Sequence, residues 1–183
     1  MQGLVFFRKE GRHICISPED ILYQAASVWN EMTEYKYKIT YGYKKKLYHI
    51  NLSFSPEDFP HLAGFQYLKD LSLPRLEALV RLKRTLDSDF MLFSFFPYMY
   101  PFYTQIKADF LISSHTDIVS FLFIIQPQPN RNVASDNDYL CCSAFKQEIH
   151  NYEINQRPRA ILKKERFHLP FNTSTVLIDK LTP

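Results

Sequence analysis

At 183 residues the chain has the length of one ordinary domain, and its 46% hydrophobic and 16% aromatic content excludes a disordered chain, because that much apolar surface fills a core. A formal net charge of +3 and a pI near 8.7 permit a polyanion partner without requiring one. Glycine numbers only 4, and the sequence holds no phosphate-cradling glycine loop, no G-x-S-x-G elbow and no H-E-x-x-H or C-x-x-C spacing, which argues against nucleotide folds, serine hydrolases and zinc centres.

In chain order, Ser17-Pro18-Glu19-Asp20 is a helix-start signal, and Ile21, Leu22, Ala25, Ala26, Trp29 and Met32 follow at helical spacing. Tyr35 to Tyr43 and Lys46 to Phe54 alternate β-formers with polar residues around Gly42 to Lys45, predicting a hairpin whose turn carries Lys44, Lys45 and Lys46 outward. Ser55-Pro56-Glu57-Asp58 repeats the capping pattern and sets His61 on a short helical turn beside Gly64. Pro74 opens another helix, with Leu76, Leu79, Val80 and Leu86 as its buried stripe and Arg75, Arg81 and Arg84 near its wet side. The aromatic run Phe90 to Tyr103 is interrupted by Pro97 and Pro101 and is too short to span a membrane; it predicts core plus partner surface.

Beyond it, Ala108 to Ile112, Ile118 to Gln126, Tyr139 to Lys146 and Arg159 to Phe167 are β-rich runs without intervening helices. The expectation is therefore one α+β domain over 1–183: N-terminal helices with a β-hairpin in 1–105, then a four-stranded antiparallel sheet in 106–183. The tail from Thr173 to Leu181 either adds a strand or lies across the sheet. Cys15, Cys141 and Cys142 give no disulfide framework. With no leader pattern at the start, the expected location is the cytoplasm of a bacterial host.

The six histidines lack paired ligand spacing, so no metal or other cofactor is expected. What remains suits metal-independent RNA cleavage, in which the ribose 2′-hydroxyl attacks the adjacent phosphorus and the site supplies a base, an acid and cations. His61 is a candidate acid or base, although helix packing or capping suits it equally. Alternation along Ile161 to Arg166 sets Lys163 and Glu165 on one face of a strand and Lys164 and Arg166 on the other. Ser143 falls beside Cys141 and Phe145, opposite Lys146, and offers a phosphate donor or nothing more than a tolerated hydroxyl. Lys44, Lys45, Lys46, Lys69, Arg81, Arg84, Lys146, Lys164 and Arg166 are candidate RNA-binding cations.

The segment D-F-x-H-L-x-G-x-x-x-L-K-D at 58–70, the late strand R-A-I-L-K-K-E-R-F at 159–167 and the helix-then-strands order resemble the phage branch of the barnase, EndoU, colicin and RelE-like nuclease superfamily, over roughly residues 18 to 168. The resemblance implies a metal-independent active site on a sheet face, and it carries to His61, Lys69, Ser143, Lys163 and Glu165. In size and character the chain is also similar to phage type II-A anti-CRISPR proteins, one of which truncates guide RNA. That similarity implies an endoribonuclease acting on structured RNA, with guide RNA bound to a type II CRISPR effector nuclease among its partners and no membrane partner. The alternative is a non-catalytic inhibitor module that grips protein or RNA through aromatic and basic surface.

Overall fold

The computed structural model describes residues 19–64, 72–127 and 137–182, together with the backbone of two short strands, β1 (Val5–Lys9) and β2 (Arg12–Cys15), which pair antiparallel with each other. Helix α1 (Ile21–Met32) buries Leu22, Ala25, Ala26, Trp29 and Met32 along one stripe. The Trp29 indole N–H donates to the Ser55 carbonyl at 2.9 Å, tying the helix to the start of the next helical segment. Strands β3 (Tyr35–Tyr43) and β4 (Lys46–Ser53) form the expected hairpin. Its two turn residues, Lys44 and Lys45, both hold positive φ (47° and 63°), the conformation a two-residue hairpin turn with right-handed strand twist demands. Short helices α2 (Phe59–Ala63), α3 (Leu73–Val80) and α4 (Leu82–Asp87) follow. The stripe read as one helix from Pro74 is broken at Arg81, whose φ of −98° and ψ of 1° leave the α region and redirect the chain.

The remaining strands are β5 (Met91–Ser94), β6 (Phe110–Ser114), β7 (Ser120–Ile125), β8 (Asp138–Lys146), β9 (Arg157–His168) and β10 (Thr173–Asp179). They do not make a separate four-stranded antiparallel sheet. The order is β10-β9-β3-β4-β8-β7-β6-β5, and β5 also pairs with β9, closing a seven-stranded barrel. The barrel is mixed, because β4 and β8 run parallel. The physical reason is the length of β9. One edge pairs with β3 along most of the strand, while the other is shared between β5 at Arg157–Arg159 and β10 at Lys163–His168. The hairpin of the N-terminal part thus stands between β9 and β8 of the C-terminal part, and the tail is a strand on the outer edge of β9.

The two faces of the barrel wall have different fates. Tyr37, Ile39, Tyr41, Ile50, Leu52, Ile112, Leu122, Ile124 and Ile161 share one core with the apolar stripes of α1, α3 and α4. Tyr41 and Phe110 meet edge to face at 5.5 Å although two strands separate β3 from β6 one way round the wall and three the other, a contact made across the interior. On the outside, Phe93, Leu111, Phe121 and Phe123 carry a second core that Phe95, Tyr100 and Tyr152 cover. Burying an aromatic of this size contributes about 1.5–3 kcal/mol. The aromatic run is thus mainly a lid on this second core, with Tyr98 and Tyr103 left 78% and 84% exposed. No described helix is long and apolar enough to cross a membrane.

Candidate functional site on the bare barrel wall

Outside β9, β3 and β4 no aromatic lid is present among the described residues, and the period of two turns polar side chains outward from apolar neighbours. Register aligns them in rows. Lys163 stands opposite Thr40 on one side, and His49 stands opposite Thr40 on the other. The next row is Glu165, Lys38 and Asn51, continuing to Asp138 on β8. Strand spacing puts the outer members of the first row about 10 Å apart with Thr40 between them.

Within this patch the Thr40 hydroxyl, only 3% of its residue exposed, meets His49 Nδ1 at 3.0 Å. Whichever of the two atoms donates, the ring orientation is fixed and Nε2 is left for a substrate. Lys163 Nζ lies 3.2 Å from Glu165 Oε1 and 3.8 Å from Asp179 Oδ2. Asp138 holds Lys36 at 3.4 Å and accepts from the Asn51 amide at 3.3 Å. Lys38 has no ion pair among the described residues. The wall therefore gathers a positioned imidazole, a carboxylate and two ammonium groups on one partly exposed surface above the buried Thr40 hydroxyl, the set of groups that in-line attack on a phosphodiester uses. Among the described residues no three histidine, cysteine or carboxylate side chains gather as metal ligands.

The residues singled out in the sequence are distributed over several surfaces. Lys163 and Glu165 stand together on the bare wall. Lys164 and Arg166 point inward: Lys164 is fully buried, donates to the Ser88 carbonyl at 2.5 Å and lies 4.5 Å over the Phe90 ring, and Arg166 pairs with Asp87. Burial pushes the Lys164 ammonium pKa down to about 8, with Asp89 and Asp87 resisting that shift. Ser143 does not accompany Cys141. An irregularity in the β7–β8 register skips Cys142, so Cys141 pairs with Ile124 of the inner core, whereas Ser143 pairs with Phe123 of the lidded outer core. Ser143 Oγ is buried without a hydrogen-bond partner among the described residues.

His61 stands on α2, whose Phe59, Leu62 and Ala63 pack into the inner core on the helical side, away from the bare wall. Lys146 reaches Glu77 at 3.1 Å, and Arg84 reaches Asp117 at 2.7 Å. Arg81 donates to the Glu77 carbonyl at 3.0 Å. Lys44, Lys45 and Lys46 are exposed at the hairpin tip, and Lys69 lies outside the described residues. The sequence reading missed Lys36, Lys38, Thr40, His49 and Asn51. Their signal was present in the hairpin itself: a two-residue turn at Lys44–Lys45 fixes Thr40 opposite His49.

Residues 21–74 match the model of a family described as phage Barnase-EndoU-ColicinE5/D-RelE like nuclease. The matched span holds β3 and β4, hence Lys38, Thr40, His49 and Asn51. No curated protein and no solved structure matches the chain.

Proposed function

From a nuclease-family match that covers the hairpin half of the bare wall, we propose that the chain is a metal-independent endoribonuclease acting on structured RNA through this surface. The observation that carries the reading is the row Lys163–Thr40–His49 with Glu165 at hydrogen-bond distance from Lys163. A phosphodiester laid between the outer members of this row, above the buried Thr40, has His49 Nε2 on one side and Lys163 with Glu165 on the other. Glu165 takes the proton of the 2′-hydroxyl as its oxygen attacks phosphorus. His49 gives a proton to the departing 5′-oxygen, so a 2′,3′-cyclic phosphate and a free 5′-hydroxyl result. Lys163 and Lys38 stabilise the charge that builds on the non-bridging oxygens. Thr40 acts by holding the imidazole, and is a positioning residue.

The exposed Lys44, Lys45 and Lys46 tip supplies sequence-independent attraction to the RNA backbone. The test is cleavage of labelled structured RNA in EDTA, both free and as guide RNA held by a type II CRISPR effector, resolved on a denaturing gel. Discrete fragments ending in cyclic phosphate, lost in His49→Gln and Lys163→Ala, are expected. Binding without cleavage by the parent chain would favour the non-catalytic module instead.

A further inference from the structure

Among the described strands of the large sheet, β10 alone has a neighbour on one side only; every other strand is paired along both edges. Its outer edge presents backbone N–H and C=O groups that no other described strand pairs. Such an edge recruits a further strand, and soluble proteins blunt it with lysine, proline, a bulge or a covering element. The strand reads Thr-Ser-Thr-Val-Leu-Ile-Asp, with no proline, no glycine and no charge before Asp179. Its one guard is the register shift between Val176 and Ile178, which leaves Thr173–Val176 in regular pairing with β9. β10 also stands outside the barrel closure, on the stretch of β9 that β5 does not occupy, so no described strand blocks an approach.

Exposed apolar side chains gather along the same edge: Leu169, Phe171, Val176 and Leu181 are 54%, 74%, 52% and 44% exposed. The last three stand at equal intervals of five residues, symmetric about Val176. That symmetry is what a two-fold axis demands of a surface that meets its own copy. We propose that the chain forms a homodimer by antiparallel pairing of β10 with β10 of a second copy, the axis passing at Val176. Val176 then faces the partner's Val176, and Phe171 faces the partner's Leu181. Asp179, the strand's one charge, falls opposite the partner's Thr173, so no like charges meet. Each copy has one open edge among its described strands, and the pairing therefore closes at two and builds no fibre. Val176 and Asp179 lie opposite Glu165 and Lys163, on the face of the bare wall. Strand spacing sets the two β9 strands about 15 Å apart, with both bare walls on one continuous surface.

The experiment is analytical ultracentrifugation of the full chain from about 1 to 100 µM, paired with cysteine cross-linking. The mass should rise with concentration from the 21.7 kDa of one chain toward twice that value. Val176→Lys sets two ammonium groups face to face on the axis and should hold the chain at the single-chain mass, with its urea midpoint unchanged. Val176→Thr, which keeps a β-branched side chain, should still dimerise. Under mild oxidation Val176→Cys should link to its own copy, because directly opposed Cβ atoms on paired strands lie about 4.5–5.5 Å apart, close to disulfide reach. Thr173→Cys should link no more than the parent does. A single-chain mass at every concentration overturns the dimer and leaves the edge to a strand of another protein. A dimer that persists in Val176→Lys, or cross-linking that favours Thr173→Cys over Val176→Cys, overturns it equally, since either places the contact elsewhere.

Discussion

His49 is the residue on which the proposed chemistry turns, because its Nδ1 is occupied by Thr40 and its Nε2 has no hydrogen-bond partner among the described residues. His49→Gln keeps an amide of similar reach and removes proton transfer, so single-turnover RNA cleavage is expected to fall by about 10²-fold or more. His61→Ala, on the helical side, should cleave at the parent rate; a collapse of the rate in a folded His61→Ala chain would return the acid–base role to α2. Thr40→Val preserves the β-branched shape and frees the imidazole, giving a smaller loss than His49→Gln. Ser143 lies at the opposite extreme, a buried hydroxyl with no described partner. Ser143→Ala is expected to be neutral or to stabilise by up to about 1 kcal/mol, with cleavage unchanged. A urea midpoint that drops sharply in Ser143→Ala would show that the hydroxyl has a structural partner after all.

At the scale of elements, β5 closes the barrel, and Gln156 grips the backbone of the chain that leaves it at Phe96. Gln156 Oε1 accepts from the Phe96 N–H at 2.6 Å, and its Nε2 donates to the Phe96 carbonyl at 3.2 Å. Gln156→Ala strands the Phe96 N–H, while the Phe96 carbonyl keeps the Met99 N–H at 3.0 Å, and should cost about 1–3 kcal/mol, the cost of one unsatisfied buried polar group. Equilibrium urea unfolding measures this directly, and a loss under about 0.5 kcal/mol would mean that the strand ladder alone maintains the closure. The sequence showed β5 only as part of an aromatic run, because a four-residue strand with both faces packed has no alternation to read. The hairpin was legible for the opposite reason: one face of β3 and β4 is apolar and the other polar. Its register therefore already contained the Thr40–His49 pair.

For the molecule as a whole, a lysine buried where the helices meet the barrel wall links stability to pH. The Lys164 pKa is lowered from the ordinary 10.5 to about 8, mainly by desolvation. Between about pH 8 and 10.5 the unfolded chain binds the proton that the folded chain has released, so this residue's contribution to stability rises with pH across that window. Burial raises the pKa of Cys141, and burial together with its hydrogen bond to Asp87 raises that of Tyr37. Both oppose the trend at alkaline pH, but they are common to parent and Lys164→Met and cancel in the difference. Lys164→Met should therefore gain most on the parent at pH 7, and the gain should shrink as pH approaches 10.5. Parallel stability curves for the two chains would place the Lys164 head group in water.

By itself the sequence determined the local features: α1, the hairpin and its exposed lysine turn, the alternation that separates Lys163 and Glu165 from Lys164 and Arg166, and the resemblance to a nuclease family whose model matches residues 21–74. These follow from spacing within a few residues, where periodicity and turn chemistry act. Tertiary structure alone decided which side of β9 faces water, since both faces carry two charges and only the pairing of Arg166 with Asp87 and of Lys164 with Ser88 turns one inward. It also decided the barrel closure through β5 and β9, the shift that turns Ser143 off the face of Cys141 and under the aromatic lid, and the meeting of His49 with Lys163 across Thr40. Each depends on strands more than 60 residues apart in the chain or on a bulge, and neither leaves a local period for the sequence to display.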